Sequence, residues 1–320
     1  MSRSFAVSLV ALAALGALAG CGGSAVEKPT TGTPSLAATP SAAATDGDGE
    51  LVPTNLPTNV PDTIPDLTNT PKVPDVPRRP DEVFGADISW PQCPKGLGIP
   101  EKRTLGAPMP TKAADFVIIG LTNGPSFYPN PCLAGQKKWV ADRHLMAAAY
   151  SVVSYPRPAE LKTYGARGPF STKNLAGRLA NVGYAAALFN LDTLKRSGLK
   201  TPIIWIDVEP VPKFEWSSDL KANAAVVQGM ARGYTDAGFE IGYYSTPALW
   251  RRVVGGFRMG SVEWRAAGQT SKAEALSRCG PDWSIQGGRA LFGQWVEDGR
   301  DRNVTCPGVA ATLGRWFHQY

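Results

Sequence analysis

Two carboxylates two residues apart, Asp207 and Glu209, end an otherwise apolar run that reads TPIIWIDVEP over 201–210. The run is β-branched and bounded by Pro202 and Pro210, which predicts a buried strand. Side chains alternate along a strand, so Ile203, Trp205, Asp207 and Glu209 share one face and Ile204, Ile206 and Val208 the other. Both faces are apolar until one turns acidic, the pattern of a barrel strand with helices outside and a functional rim at its C-terminal end. The two Cα atoms should lie roughly 6.5 Å apart. Crowded carboxylates raise one another's pKa, which keeps one protonated near neutral pH. A proton-donating carboxyl beside an ionised one, flanked by aromatics, is the equipment of glycosidic bond cleavage. A helix N-cap with a structural ion pair is the bland reading of the same residues.

Elimination narrows the chemistry further. The chain has two histidines, His144 inside a helical stretch and His318 three positions from the end, so nucleophile–His mechanisms are poorly supported. No G-x-S-x-G elbow, phosphate-binding loop, dinucleotide fingerprint or H-E-x-x-H occurs, and no cofactor is expected. No basic-aromatic run points to nucleic acid.

The elements expected to position the carboxylates alternate. Strands are expected at 84–90 (ending in Asp87, Ser89 and Trp90), 116–121, 150–155, 201–210, 239–245 and 261–267. Helices are expected at 134–149, at 171–196 with Ser171 as cap, from Ser217 or Ser218 to about Ala237 with Gly238 as stop, and around 247–254. Residues 283–286 and 290–297 read as further strands with little helix between them. The fold class is α/β, a parallel sheet closed by hairpin-like strands.

The first eighty residues are of another kind. Residues 1–20 carry Arg3 and a short apolar run, as in a secretion signal, and end LAG before Cys21, which resembles the bacterial lipobox. Cys21 is therefore expected to carry the lipid that holds the chain at a membrane. Residues 21–80 are rich in Pro, Thr and Ala and read as an unstructured tether. Its stretch from 23 to 80 would span on the order of 180 Å if polyproline-like and roughly 45 Å as a flexible coil. Residues 81–320 form one domain with 28 Lys and Arg against 20 Asp and Glu, a mildly basic balance suited to an anionic envelope or simply to solubility. Four further cysteines imply two disulfides, with three pairings open; Cys93–Cys132 and Cys279–Cys306 are expected, as each closes a local loop. Their spacing does not suit a metal site.

GADISW, YSVVSYP, WIDVEP, IGYYSTPALW, EWRAAG and GQWVEDGRDRN occur in the order and approximate spacing seen in glycoside hydrolase family 25 lysozymes. The resemblance covers most of 84–305 and implies an irregular, TIM-like β/α barrel of eight strands with fewer helices. It implies that Glu209 is the general acid, that Asp207 assists it by orienting an N-acetyl group or stabilising the cation, and that Asp87 and Asp301 line the same pocket. Asp298 competes with Asp301 for the last position. Trp90, Tyr155, Tyr244, Trp264, Gln294 and Trp295 are implied as sugar-contacting or floor residues. The implied activity is lysozyme-like cleavage of peptidoglycan or a related envelope polysaccharide by a monomer on the outer face of the cytoplasmic membrane, in a bacterial, specifically actinobacterial, lipoprotein. A non-catalytic glycan-binding lipoprotein on the same barrel is the alternative. Departures in YSVVSYPRP, in the cysteines after WPQ and NP, and at Arg265 lead to the expectation of an altered cleft.

Overall fold

A computed structural model describes residues 81–125 and 127–320. The signal segment, Cys21 and the tether lie outside the described residues. Eight strands close into a barrel: β1 Phe84–Ile88, β2 Phe116–Gly120, β3 Met146–Val152, β4 Ile203–Asp207, β5 Glu240–Ser245, β6 Val262–Ala266, β7 Ala290–Glu297 and β8 Arg300–Thr305. β1 to β7 run parallel in sequence order, and β8 closes the ring antiparallel to both β7 and β1. The hairpin between β7 and β8 turns at Asp298 and Gly299, both at positive φ (53° and 66°), the backbone that a two-residue Asp-Gly turn supplies.

Among the described residues, seven α-helices are distributed unevenly around the barrel. They are α1 Leu133–Ala141, α2 Pro158–Tyr164, α3 Leu175–Ser197, α4 Leu220–Asp236, α5 Pro247–Val254, α6 Lys272–Ser277 and α7 Leu313–Trp316. The two long ones, α3 and α4, touch backbone to backbone where a Cβ on Gly183 or Gly229 would overlap the other helix's carbonyls. A short ninth strand, β9 His318–Gln319, pairs with the start of β3 and places His318 at the N-terminal end of the barrel, away from the acidic rim. His144 lies there too, its carbonyl accepting from Gln319.

The barrel interior is layered. Phe116, Phe292 and Phe317 meet at the bottom with centroids 4.6 to 5.5 Å apart. Trp205 and Trp264 form the next layer, 6.0 Å apart, with Tyr244 4.4 Å from Trp264. Bulky rings fit because small residues face them: a Cβ on Gly242 would overlap the Trp205 ring.

Both expected disulfides are present, Cys93–Cys132 and Cys279–Cys306, with Cα atoms 5.6 and 5.5 Å apart. Closing loops of 39 and 27 residues removes roughly 3.5–4 kcal/mol of unfolded-chain entropy each. Several expected boundaries shift. β3 begins at Met146 rather than at 150, and α1 ends at Ala141, so the alanines once assigned to a helix are strand. Asn174 caps α3 in place of Ser171, and Asp219 caps α4 in place of Ser217 or Ser218. Residues 283–286 are not strand but a tight turn and loop, because their N–H groups bond a buried side chain instead of a ladder. Ile285 and Gln286 donate to Glu263 at 2.9 and 2.8 Å.

Candidate active site

The C-terminal ends of the parallel strands hold the acidic cluster. Asp87 closes the inner face of β1, Asp207 ends β4, Glu209 follows it, and Asp301 opens β8. Asp87 and Asp207 are buried, whereas Glu209 and Asp301 are half-buried at the rim. Asp298 is instead at the exposed hairpin tip, paired with Arg302 at 3.1 Å, so Asp301 is the fourth pocket carboxylate.

Asp87 is held by two amides whose orientations are themselves fixed. Asn303 Nδ2 donates to it at 2.7 Å and Gln294 Nε2 at 3.2 Å. Trp264 Nε1 donates to Asn303 Oδ1 at 2.7 Å, and Tyr244 OH donates to Gln294 Oε1 at 2.9 Å. Each amide thus has its carbonyl occupied and its NH2 turned towards the carboxylate. Asp207 has the opposite environment. Its Oδ1 is buried and accepts no hydrogen bond from the described residues. A polar atom in that state costs stability unless something else supplies the donor.

Electrostatics follow from this crowding. Burial pushes the Asp87 carboxyl well above its usual range, helped by the Asp301 charge and opposed by the two amides. Burial does the same to Asp207, with Glu209 and Asp87 adding repulsion. Burial and the Asp301 charge lift Glu209 to about 7, against a smaller opposing effect of Lys102. Burial lifts Asp301 to about 6. Glu209 therefore holds its proton near neutrality while a neighbour can be ionised, the division of labour that acid catalysis requires. Among the described residues, no group of three or more His, Cys, Asp or Glu side chains could hold a metal ion.

Asp87, Asp207, Glu209, Asp301, Tyr244 and Gln294 converge at this end of the barrel. Trp264 converges too, but as the buried floor, 1% exposed. Trp90 sits on the lip in the turn Trp90–Gln92, and Tyr155 lies on the loop after β3, packed against the outer helical core. Trp295 does not reach the pocket. It occupies the face of β7 opposite Gln294 and packs with Ala267, Ala275 and Val304. Arg265 also faces away from the cleft, so it does not narrow it; it forms a 2.7 Å ion pair with Glu263, which is fully buried on the outer side of β6. Asn303, Lys102 and Tyr150, whose buried hydroxyl lies near Asp87 and Asp207, were not singled out from sequence. The alternation Asp301-x-Asn303 along β8 was the one signal for the first.

The family model described as lysozyme-like protein 1 matches residues 181–277, which include Asp207, Glu209, Tyr244 and Trp264. The chain is 34% identical over 59 residues to a probable GH family 25 lysozyme 4 of Dictyostelium discoideum, covering 18% of this chain and 26% of the relative. It is 30% identical over 66 residues to lysozyme-like protein 5 of Caenorhabditis elegans, covering 21% and 29%. These matches span less than a third of either relative. Among solved structures, a muramidase from Acremonium alcalophilum aligns over 73% of this chain and 99% of its own, with 15% identity and a TM-score of 0.47.

Proposed function

We propose that the protein is a glycoside hydrolase, lysozyme-like in chemistry, that cleaves β-1,4 links in peptidoglycan or a related envelope glycan. The observation that carries this reading is the convergence of Asp87, Asp207, Glu209 and Asp301 at the barrel's C-terminal end, where burial and the Asp301 charge lift Glu209 to about 7. Glu209 donates its proton to the leaving glycosidic oxygen as the bond to the anomeric carbon breaks. The positive charge developing on the sugar is shared by the 2-acetamido oxygen and by Asp301, the more acidic rim carboxyl. Water then adds at the anomeric carbon and returns its proton to Glu209. Asp207, with an oxygen unpaired by protein, accepts from the N–H of a 2-acetamido group and holds it against the anomeric carbon. Asp87, fixed by Asn303 and Gln294, and Asp301 complete the carboxyl lining of the pocket. The similarity of 181–277 to a lysozyme-like family supports the same chemistry.

The setting we propose is the outer face of the cytoplasmic membrane of a bacterium, with lipid on Cys21 and residues 22–80 as tether to a monomeric catalytic domain. The LAGC sequence and two disulfides in the domain support export. Incubating the purified protein with peptidoglycan and counting new reducing ends tests the activity. Release is expected; tight glycan binding with no release would replace the hydrolase by a glycan-binding lipoprotein.

A further inference from the structure

One lip of the pocket combines cations with aromatic rings in a way the acid chemistry does not use. Glu209 opens the loop to α4, and its carbonyl accepts from Trp216 Nε1 at 2.9 Å. Phe214, on the same loop, is flanked by two basic residues from other loops. Arg157, from the loop after β3, places its guanidinium carbon 4.8 Å from the Phe214 ring centre and donates from Nη1 to Tyr128 OH at 3.0 Å. Lys102 comes from the long loop after β1. Its stem and the Phe214 ring both border Gly124, where an added Cβ would be 3.2 Å from Lys102 Cγ and 3.8 Å from the ring. Lys102 Nζ sits 5.9 Å from the Trp90 ring centre.

These cations are positioned rather than loose. The Lys102 carbonyl accepts from Asn123 Nδ2 at 2.9 Å, Asn123 Oδ1 accepts from Ile99 N at 2.7 Å, and the Cys93–Cys132 disulfide ties the same loop to the start of α1. Both are half-buried, and neither forms an ion pair within 4.0 Å among the described residues. Glu209 acts on Lys102 and Glu160 on Arg157 through space only. Half-burying a cation without a contact ion pair is costly, and a ring face offsets only part of it. A substrate anion, meanwhile, would be repelled by an ionised Asp301 and by the ionised fraction of Glu209 below unless a cation met it at the lip.

We infer that Lys102 and Arg157, set around Phe214, form a subsite for a carboxylate carried by the glycan next to the cleaved bond. The inference deepens the reading above and rests on it for the location of the sugar. Two sources share this chemistry: the lactyl carboxylate of peptide-free muramyl units and the carboxylates of a stem peptide.

The test measures binding in the Glu209→Gln background, where turnover does not interfere and Lys102 cannot act through the acid. The probes are peptide-free muramyl glycan, peptide-bearing muramyl glycan and a chitooligosaccharide, which has the same β-1,4 links and no carboxylate. Lys102→Met and Arg157→Met should each weaken an anionic probe by roughly tenfold, a typical effect of one charge-assisted contact. The chitooligosaccharide should weaken much less, and Lys102→Arg should retain most affinity. Whichever anionic probe shows the selective loss identifies the source. Equal losses on charged and neutral probes, or no loss on either anionic probe, would overturn the inference, as would an anionic glycan that fails to bind the parent. Charge-selective binding in a protein whose wild type releases no reducing ends would overturn the hydrolase reading alone.

Discussion

Glu209→Gln is expected to lose nearly all turnover and yet to melt at a higher temperature than the wild type above neutral pH. Removing a general acid costs about 10²- to 10⁴-fold, and glutamine keeps the shape while removing the proton to be donated. The stability gain follows from linkage. Glu209 rises from an ordinary value of 4.5 to about 7 on folding, so the native state binds its proton more tightly than the unfolded chain does. The associated stability is fully present below 4.5 and is lost as pH rises through about 7. Wild-type stability should therefore fall between pH 5 and 8 more steeply than that of the variant, which has no proton to lose. Scanning calorimetry at the two pH values reads the difference, expected to be a few degrees in favour of the variant at pH 8. Equal slopes would mean that Glu209 is not held protonated by its surroundings.

Arg265→Met is expected to be the most destabilising single change considered, by about 3–5 kcal/mol, because it strands a buried carboxylate. Glu263 is fully buried and Arg265 is 3% exposed. Beyond their ion pair, the guanidinium donates to the carbonyls of Arg278 and Gly280 at 2.7 and 2.6 Å. Glu263 accepts from the N–H groups of Ile285, Gln286 and Gly288 at 2.8 to 2.9 Å. The pair thus fastens the segment from α6 to β7 onto the outside of the barrel. Adding Glu263→Gln should recover part of the loss, since glutamine keeps an acceptor without the charge, while the carbonyls lose their donor permanently. Urea unfolding of the three proteins measures both effects. A single variant within 0.5 kcal/mol of wild type would contradict the role assigned to the pair.

How far the sequence spoke depended on whether a residue's partner was local. The strand expected at 201–210 was legible because its two faces and its acidic end obey a period of two, and its core, Ile203–Asp207, is β4, with Asp207 at its end and Glu209 just after it. Pro247 and Gly238 marked a helix start and a helix stop that the structure reproduces. β3 was misjudged because Met146-Ala-Ala-Ala has helical propensity. Ala148 packs against the barrel rings and Ala147 and Ala149 against the outer helices, and the close packing on both faces makes them strand, a tertiary effect that overrides local preference. β8 escaped notice because its inward residues are Asp301, Asn303 and Thr305 and its outward ones are Arg300 and Arg302, which leaves no apolar pattern at its start. Trp295 and Gln294 are neighbours in sequence, yet a one-residue step on a strand separates core from pocket. Lys102 and Arg157 lie on different loops, and nothing local announces that both approach Phe214.

The pH dependence of kcat/KM for reducing-end release tests the central claim most directly, because it reads the proton on Glu209 in the free enzyme. The expected profile falls on its alkaline side with an apparent pKa of about 7, and Glu209→Gln shows almost no release at any pH. A wild-type rate that stays level through pH 8.5, or substantial release by the variant, would contradict Glu209 as the acid.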